Sequence, residues 1–385
     1  MTRLERTIDL LAELVAFPTV STDGNFALIR HLGVLLGQAG ARVEILPDET
    51  GEKANLWATI GPEVDGGLVL SGHTDVVPVT DQDWTSDPFQ LTERDGKLIG
   101  RGACDMKGFI ASAVVMAEHF ASLPLNKPIH FAFTHDEETG CLGARALVPH
   151  LSARSLRPAM ALVGEPTEMR VIEGHKGCCE YTARFTGLEG HGSDPGAGVN
   201  AAEYAVRYVS RLMELRADLV ERAPEASRFA PPYTTINIGR VSGGVAHNVI
   251  VGKAEVDWEM RPVRFDDASF VKERINAFVD NELLPQMRAV HPDAEISTEI
   301  IGEVAGLEPR AENEIRDIVM GLTGSNGADV VPFGTEAGLF QEWGLSVIVC
   351  GPGSIAQAHK PDEFVTRDQL SACLDLLDSL GRKMI

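Results

Sequence analysis

The sequence predicts an α/β fold with a mostly parallel central sheet flanked by helices, into which a smaller α+β sandwich is inserted. Helical and strand patterns alternate over residues 4–173, as they do in layered α/β domains. After about residue 174 the pattern changes to half-exposed strands and amphipathic helices, and the alternation returns near the carboxyl end. We therefore expect one domain made of 1–173 and 304–385, interrupted by a second domain at 174–303.

The elements of the first segment follow from the spacing of its apolar residues. Apolar residues three or four apart predict helices, whereas short β-branched runs bounded by turn residues predict strands. We expect helices at 4–16, 26–39, 107–121 and 142–151, and strands at 41–46, 55–60, 67–71, 128–134 and 159–163. In a sheet of this kind, ligands bind beyond the carboxyl ends of the strands.

The inserted segment has the order βαβββα, followed by a strand at 294–300, which is typical of a small α+β sandwich. Its helices are expected at 199–216 and 267–282. The final segment begins with a predicted helix in ENEIRDIVMGLTG. It continues with a strand at 345–351 and ends with a helix at 366–384.

Composition limits the classes of function. Of the 385 residues, 44% are hydrophobic and 23% are charged, as in ordinary globular proteins. The 34 Lys and Arg against 56 Asp and Glu give a formal net charge of −22. This charge repels nucleic acids and anionic membranes and mildly attracts a cationic small molecule. We expect a small-molecule substrate and neither a nucleic-acid nor a membrane partner.

The cysteines and the amino terminus indicate a cytoplasmic protein. The six cysteines show no CxxC spacing, and Cys178 and Cys179 are adjacent, which suits neither a zinc ribbon nor a disulfide framework. The stretch MTRLERTIDLLAELV predicts an amphipathic helix rather than a signal peptide, because charges interrupt its apolar pattern. No apolar run approaches the roughly 20 residues of a membrane helix.

Two polar residues end a strand that is otherwise apolar. In LVLSGHTD, His73 and Asp75 share one face because strand side chains alternate. A buried histidine bonded to an aspartate is a common way to satisfy a polar group in a core. The same pair is also a metal-ligand arrangement. These two residues alone leave both interpretations open, with the core pair the commoner one.

Other segments also place acids or imidazoles where a strand ends or a loop begins. Parallel strands present their carboxyl ends at one edge, so these segments can converge in space. Histidine, aspartate and glutamate without thiolate suit zinc, cobalt or manganese. The segments are GRGACDMKG (100–108), THDEETG (134–140), VGEPT (163–167) and QAHKPDE (357–363).

Two of these segments contain acids that could divide metal binding and proton transfer between them. Asp105 is flanked by glycines and is the candidate to bridge two metal ions with its two carboxylate oxygens. The three acids Asp136, Glu137 and Glu138 are either a solvated turn that caps the next helix or part of a site. Because adjacent side chains diverge, one glutamate could bind metal while its neighbour acts as a base on water.

Competing motifs are absent. GRGACD has Asp105 where a dinucleotide fingerprint needs its third glycine, and no G-x-x-x-x-G-K-[ST] is present. Neither GHGSDPG nor GPGSIAQ is a G-x-S-x-G nucleophile elbow. Hydride transfer and serine hydrolysis therefore have little support.

Taken in order, the motifs S-G-H-T-D-V-V-P, G-R-G-x-x-D-M-K-G, D-E-E-T-G, G-E-P-T and a late histidine resemble one family. It is the co-catalytic zinc metallohydrolase family of acetylornithine deacetylase, succinyl-diaminopimelate desuccinylase, aminoacylase and glutamate carboxypeptidase. The resemblance covers nearly the whole chain. It implies a zinc-dependent amidohydrolase that acts on N-acyl amino acids with two divalent metal ions, with cobalt or manganese as alternatives to zinc.

The resemblance also implies a ligand set. One metal ion would be bound by His73, Asp105 and Glu165. The other ion would be bound by Asp105, Glu138 and His359.

Two further roles follow from the same resemblance. Asp75 would orient the first histidine ligand, and Glu137 would be the general base. The peptide bond between Asp105 and Met106 would be cis.

The inserted domain resembles the lid or dimerisation domain of this family, which implies a homodimer. His191 in GHGS matches the histidine that relatives supply to the partner subunit's active site. Asn248 and Arg261 match lid positions that contact the substrate's carboxylate or the developing oxyanion.

The segments GHGSDPGAGVNA, FGTEAGLFQ and CGPGSIAQAHKPDEF are most similar to the acetylornithine deacetylase branch. This similarity implies deacetylation of N2-acetylornithine to ornithine and acetate, a step of arginine biosynthesis. An aminoacylase, desuccinylase or deformylase of the same family is the first alternative. The second is a metal-dependent binding protein without turnover, which would be expected to lack Glu137 or a ligand, and none is missing here.

Overall fold

The computed structural model describes residues 1–385, and the chain divides into two compact units. The first unit consists of Met1–Gly174, Pro309–Val330 and Thr335–Ile385, and the second of His175–Glu308 and Val331–Gly334. Each unit has its own apolar core. None of the helices combines the length and apolar character needed to cross a membrane.

The first segment of the chain alternates between helices and strands. A five-residue π-helical turn, Ala103–Lys107, leads into its longest helix, and the Asp105–Met106 peptide bond is cis. In chain order the elements are α1 (Arg3–Val15), α2 (Phe26–Gln38), β1 (Arg42–Pro47), β2 (Ala54–Ile60), β3 (Leu68–His73), β4 (Thr92–Arg94), β5 (Lys97–Ile99), α3 (Gly108–Ser122), β6 (Ile129–Thr134), α4 (Leu142–Ser152), β7 (Met160–Pro166) and β8 (Ile172–His175).

The predicted elements of this segment agree with the observed ones to within three residues. Strands β4, β5 and β8 were not predicted, because three or four residues are too few to show a period of two. Helix α3 is buried at eleven positions, so it shows little of the polar face by which a surface helix is recognised.

The inserted segment forms mainly a four-stranded antiparallel sheet, in the order β11-β13-β9-β14, with helices packed against it. Strands β10 and β12 pair separately. The elements are β9 (Cys178–Thr186), β10 (Gly190–His191), α5 (Ala201–Glu221), β11 (Thr235–Gly243), β12 (Val249–Ile250), β13 (Lys253–Arg261), α6 (Phe265–Phe278), α7 (Leu284–Val290) and β14 (Glu295–Val304), with a 3₁₀ turn at Pro195–Ala197 and a π-helical turn at Val279–Leu283.

The final segment returns to helix and strand alternation. Its elements are α8 (Glu314–Thr323), β15 (Asp329–Val331), α9 (Ala337–Glu342), β16 (Ser346–Gly351), β17 (Phe364–Thr366) and α10 (Arg367–Lys383). The short strand β17 joins β5 and β4 in a three-stranded sheet, and α10 packs against α3.

The large sheet has eight strands in the order β1-β2-β6-β3-β7-β16-β8-β15. Its central strands β6, β3, β7 and β16 run parallel. Antiparallel pairing occurs towards the edges, between β1 and β2, between β2 and β6, and between β16 and β8. Strands β2, β3 and β7 are buried at every position, which explains their continuous apolar runs. The parallel centre brings the carboxyl ends of β3, β6 and β7 to one edge.

Candidate metal centre

The carboxyl ends of three parallel strands bring the polar motifs together. His73 ends β3, Glu137 and Glu138 follow β6, and Glu165 is the sixth residue of β7. The ligand atoms of His73, Asp105 and Glu138 all lie within 4.8 Å of one another, as do those of His73, Glu137 and Glu165. Segments that are far apart in sequence thus meet at one edge of the sheet.

Asp105 lies between the two histidines. Its Oδ1 is 3.0 Å from His73 Nε2, and its Oδ2 is 3.4 Å from His359 Nε2. The Oε1 atoms of Glu138 and Glu165 lie 3.1 Å from His359 Nε2 and 3.8 Å from His73 Nε2, respectively. The structure therefore groups the five side chains into two sets that share Asp105.

Two glycines permit the close packing around this centre. Gly102, with φ of 78°, precedes the π-helical turn that carries Asp105, and this left-handed conformation favours glycine. A Cβ on Gly164 would lie 2.0 Å from Phe109 Cγ. Glycine at 164 therefore lets the ring of Phe109 pack directly beneath the strand that presents Glu165.

The loop that carries Asp105 is held by Glu363, a residue that the sequence analysis did not single out. Glu363 Oε1 accepts the backbone N–H groups of Cys104, at 2.9 Å, and Asp105, at 3.0 Å. Its Oε2 lies 2.6 Å from Arg101 Nη1, and both side chains of this ion pair are only 1% exposed. Glu363 also lies four residues after His359 in sequence. Its hydrogen bonds therefore connect the segment of His359 to the loop of Asp105.

Asp75 has more contacts than the resemblance implies. His73 Nδ1 lies 2.9 Å from the backbone carbonyl oxygen of Asp75 and 3.5 Å from its Oδ1, so the carbonyl is the nearer acceptor. The carboxylate accepts the Ser21 hydroxyl at 2.7 Å and the backbone N–H groups of Glu137 and Glu138 at 3.1 and 3.3 Å. One aspartate thus contacts both the imidazole and the turn that carries two glutamates.

Glu336 is a second buried carboxylate that sequence analysis missed. It accepts the hydroxyl protons of Ser71, at 2.6 Å, and Thr134, at 2.7 Å. Ser71 lies two residues before His73 in β3, and Thr134 is the last residue of β6. Glu336 therefore links the two strands immediately behind the centre. The family resemblance includes its segment, FGTEAGLFQ, but no spacing rule distinguishes this isolated acid from a surface residue.

The centre carries more negative charge than its own imidazoles can balance. Asp105 and Glu165 are 5% and 4% exposed, and the side chain of Glu138 is 10% exposed. Burial raises the pKa of Glu137 and Glu165 well above the ordinary value, and that of Glu138 is also raised. Glu165 Oε1 is shielded from solvent and has no hydrogen-bond partner. Buried carboxylates of this kind require protons or cations, and this nitrogen and oxygen donor set fits zinc, cobalt or manganese.

The same excess of negative charge raises the pKa of both imidazoles. Although burial alone would lower it, the pKa of His73 is raised well above the ordinary value by Asp105, Asp75 and Glu165. Hydrogen bonds to Asp105 and Glu138 raise the pKa of His359 to about 10. Burial would raise the pKa of Asp105, but its bonds to the two histidines hold it below the usual range. The centre therefore attracts positive charge.

The remaining predicted residues lie in the second unit. His191 is exposed in β10. Asn248 is also exposed, and its carbonyl oxygen accepts the N–H of Gly192 at 2.7 Å. Arg261 ends β13, and its Nη2 lies 2.7 Å from Glu259 Oε2. The roles assigned to these three residues by resemblance stay predictions.

The fold and the centre define a class of hydrolase. Residues 69–383 match the family described as Peptidase family M20/M25/M40. The chain therefore belongs to this family.

The similar proteins make the relationship more specific. The chain is 38% identical to acetylornithine deacetylase of Erwinia tasmaniensis, with 98% of this chain and 97% of the relative covered. It is 36% identical to acetylornithine deacetylase of Pasteurella multocida, with coverages of 99% and 98%. A solved structure of the Bacillus subtilis protein YXEP, a dinuclear metal binding peptidase from the M20 family, has the same fold, with a TM-score of 0.65, 15% identity and coverages of 98% and 97%.

These comparisons confirm three predictions made from the sequence: the family, the α/β fold class, and the class of enzyme, a metal-dependent amidohydrolase. They give no support to the alternative of a binding protein without turnover. The family match and the two clusters of ligand atoms also support a site for two divalent metal ions.

Proposed function

We propose that this chain deacetylates N2-acetylornithine, giving ornithine and acetate, as a step of arginine biosynthesis. The observation that carries the proposal is the meeting of two histidines and four carboxylates at one edge of the parallel sheet. The choice of substrate rests on relatives named acetylornithine deacetylase, which are 36% to 38% identical over nearly their full lengths. The negative charge of the chain also favours a substrate with a cationic side chain.

In this proposal two zinc ions occupy the centre. One would be held by His73, Asp105 and Glu165, and the other by Asp105, Glu138 and His359. Zinc is chosen because neutral imidazoles and carboxylates without thiolate are typical of its catalytic sites, and cobalt or manganese would be the substitutes. When bound, such ions lower the pKa of water and polarise the acyl oxygen.

Glu137 is the general base of the proposed reaction. Burial raises the pKa of its carboxyl well above the ordinary value, which makes the carboxylate a stronger proton acceptor. Its backbone N–H is fixed by the carboxylate of Asp75. Glu137 would take a proton from the attacking water and deliver it to the leaving amine. A positioned acid or base of this kind contributes about 10²–10⁴-fold in rate.

The second unit would complete the site in a homodimer. In this proposal, His191 of each subunit donates a hydrogen bond to the acyl oxygen in the other subunit's site, which stabilises the charge that develops there. Asn248 and Arg261 would bind the substrate's carboxylate.

Two exposed features of the second unit support a dimer. Val206, Met213 and Val220 lie seven residues apart on α5 and are 59%, 53% and 44% exposed. Strand β11 lies at the edge of its sheet, where backbone N–H and C=O groups can pair with another chain. If this face joins the subunits, Met213→Lys should shift the sedimentation coefficient from that of a dimer to that of a monomer. An unchanged coefficient would contradict this choice of interface.

We place the reaction in the cytoplasm. All six cysteines are free and none forms a disulfide, as is usual in a reducing compartment.

A substrate panel tests the proposed function. The purified chain, supplied with zinc or cobalt, is assayed on N2-acetylornithine, N-acetylmethionine, N-succinyl-diaminopimelate and an N-formyl amino acid. We expect the highest kcat/KM on N2-acetylornithine. A higher value on another compound would assign the chain to an aminoacylase, desuccinylase or deformylase activity instead, and no hydrolysis of any of them would contradict the proposal.

Glu137→Gln tests the assignment of the base. The amide keeps the size of the side chain but cannot take up the proton, so we expect kcat to fall by about 10²-fold or more. Metal content, measured by mass spectrometry, should stay at two ions per chain because none of the proposed ligands is changed. Glu49→Gln, at an exposed turn, is the matched control and should have normal activity. Normal activity in Glu137→Gln would overturn the assignment.

A further inference from the structure

A cavity with a volume of about 400 Å³ lies in the first unit, apart from the metal centre. Its lining includes Thr59 in β2, His130 in β6 and the loop that follows α4. His130 is the second residue of β6, whereas Glu137 and Glu138 follow the carboxyl end of the same strand. His130 and Thr134 are four positions apart along the strand, which corresponds to about 13 Å. The cavity and the metal centre therefore lie towards opposite ends of one strand.

The cavity has the composition of a ligand site. Two of the chain's four tryptophans, Trp57 and Trp343, line it together with Val64 and Leu156. Val64 and Leu156 are 40% and 45% exposed, although both are apolar. Cavities of 300–1,000 Å³ with aromatic walls and a few polar groups are typical of small-molecule sites.

Three arginines line the cavity, and one of them has no ion-pair partner. Arg154 Nη2 lies 2.8 and 2.7 Å from the two carboxylate oxygens of Glu44, and Arg42 Nε lies 3.4 Å from Glu63 Oε1. The guanidinium of Arg157 forms no such pair, whereas its backbone is fixed. Its N–H donates to Asp65 Oδ1 at 2.9 Å, and its carbonyl oxygen accepts the N–H of Gly66 at 2.8 Å.

The wall of the cavity also carries an uncharged imidazole. The ring of His130 stacks on Trp57 with a centroid distance of 4.7 Å and an interplanar angle of 21°. Its Nδ1 is 2.9 Å from Thr59 Oγ1. Burial, together with the charges of Arg42 and Arg154, lowers the pKa of His130 to about 3. Among the lining residues, three guanidinium groups thus stand with two carboxylates, and the guanidinium without an ion-pair partner is that of Arg157.

We propose that this cavity is a second ligand site, which binds a small aromatic molecule bearing one carboxylate group. The aromatic body would contact the tryptophan-lined wall, and the carboxylate would pair with Arg157. Since a guanidinium donates two parallel hydrogen bonds to a carboxylate, it recognises that group by geometry as well as by charge.

Three probes test the ring and the carboxylate separately. Their binding to the full chain is measured by isothermal titration calorimetry. 1-Naphthaleneacetate carries both the ring and the carboxylate, 1-naphthylmethylamine carries the same ring with a positive charge, and acetate carries the charge without the ring. We expect saturable binding of one 1-naphthaleneacetate per chain and at least tenfold weaker binding of the other two. The affinity should be the same for metal-loaded and chelator-treated protein, because the site is separate from the metal centre.

Arg157→Gln should weaken the binding of 1-naphthaleneacetate about tenfold, as expected for loss of a charge-assisted hydrogen bond. Arg94→Gln is the matched control, since Arg94 is exposed in β4 outside the cavity and has no ion pair, and its affinity should equal that of the wild type. The proposal is overturned by the absence of saturable binding, by binding that requires metal, by equal affinity for the amine, or by an unchanged affinity in Arg157→Gln.

Discussion

The two units use ion pairs of the same geometry in different surroundings. In the first unit Arg101 and Glu363 lie 2.6 Å apart and are each 1% exposed. In the second, Arg240 and Asp257 lie 2.6 Å apart and are 53% and 35% exposed. The buried pair holds the backbone amides of the loop that carries Asp105, whereas the exposed pair joins two neighbouring strands at the surface. The contribution of an ion pair to stability therefore depends on its burial as well as on the distance between its atoms.

Breaking the buried pair should have the largest effect. Arg101→Met removes one charge and leaves Glu363 buried without its cation, which typically costs 3–5 kcal/mol, so we expect a loss of about that size in the free energy of unfolding. Metal affinity should fall as well, because Glu363 positions the loop of Asp105. Urea unfolding and a metal titration measure the two effects.

The double variant Arg101→Met with Glu363→Gln is the control for that experiment. Glutamine can still accept the two backbone N–H groups but carries no charge, so most of the lost stability should return. A double variant as unstable as Arg101→Met would show that the arginine acts mainly through its other contacts and not through its pairing with Glu363. These contacts are the hydrogen bond to Gln82 Oε1, at 2.6 Å, and the ring of Trp84, whose centroid is 5.1 Å away.

A buried imidazole in the second unit shows that burial affects stability outside the metal centre as well. His175 is 0% exposed, and burial lowers its pKa to about 4, against about 6.5 in an unfolded chain. Between these values the unfolded chain binds more protons than the folded one, so stability should fall as pH falls from 6.5 to 4. The shift corresponds to roughly 3 kcal/mol.

The measurement is urea unfolding of the wild type and of His175→Gln across this pH range. Loss of stability on acidification should be smaller in the variant. Equal losses would mean that His175 becomes protonated in the folded chain without cost.

The smallest effect is expected at the exposed pair. Arg240→Ala should leave the unfolding midpoint unchanged within error, because solvent and salt screen such pairs. Heat denaturation in low and high salt tests this. A clear fall of the midpoint at low salt would mean that the exposed pair of Arg240 and Asp257 stabilises the second unit. The difference in stabilisation between the buried and the exposed pair would then be smaller than proposed.

The sequence predicts the regular elements well and their supporting contacts poorly. Long periodic segments such as α5 and α10 are found because one face of each helix is buried. The strands of three residues, β4, β5, β15 and β17, escape prediction because three residues are too few to show a period of two.

The same difference appears in the candidate centre. His73, Glu138 and Glu165 lie at or just beyond the carboxyl ends of strands that must meet at one edge of a parallel sheet, so their grouping can be predicted. Glu336 and Glu363 act through hydrogen bonds to Ser71, Thr134 and two backbone amides. Although Glu363 lies in the candidate segment QAHKPDE, no local pattern predicts these contacts. Predicting such contacts requires the packing of the whole unit.

The contacts of Asp75 make two amide protons reporters of the centre. The N–H groups of Glu137 and Glu138 donate to a carboxylate that is 2% exposed, and such protons exchange with solvent only when the structure opens locally. The same residue accepts the Nδ1 hydrogen bond of His73 through its carbonyl. Hydrogen exchange at these two amides would therefore record, without any substrate, how tightly the base and the first imidazole are held together.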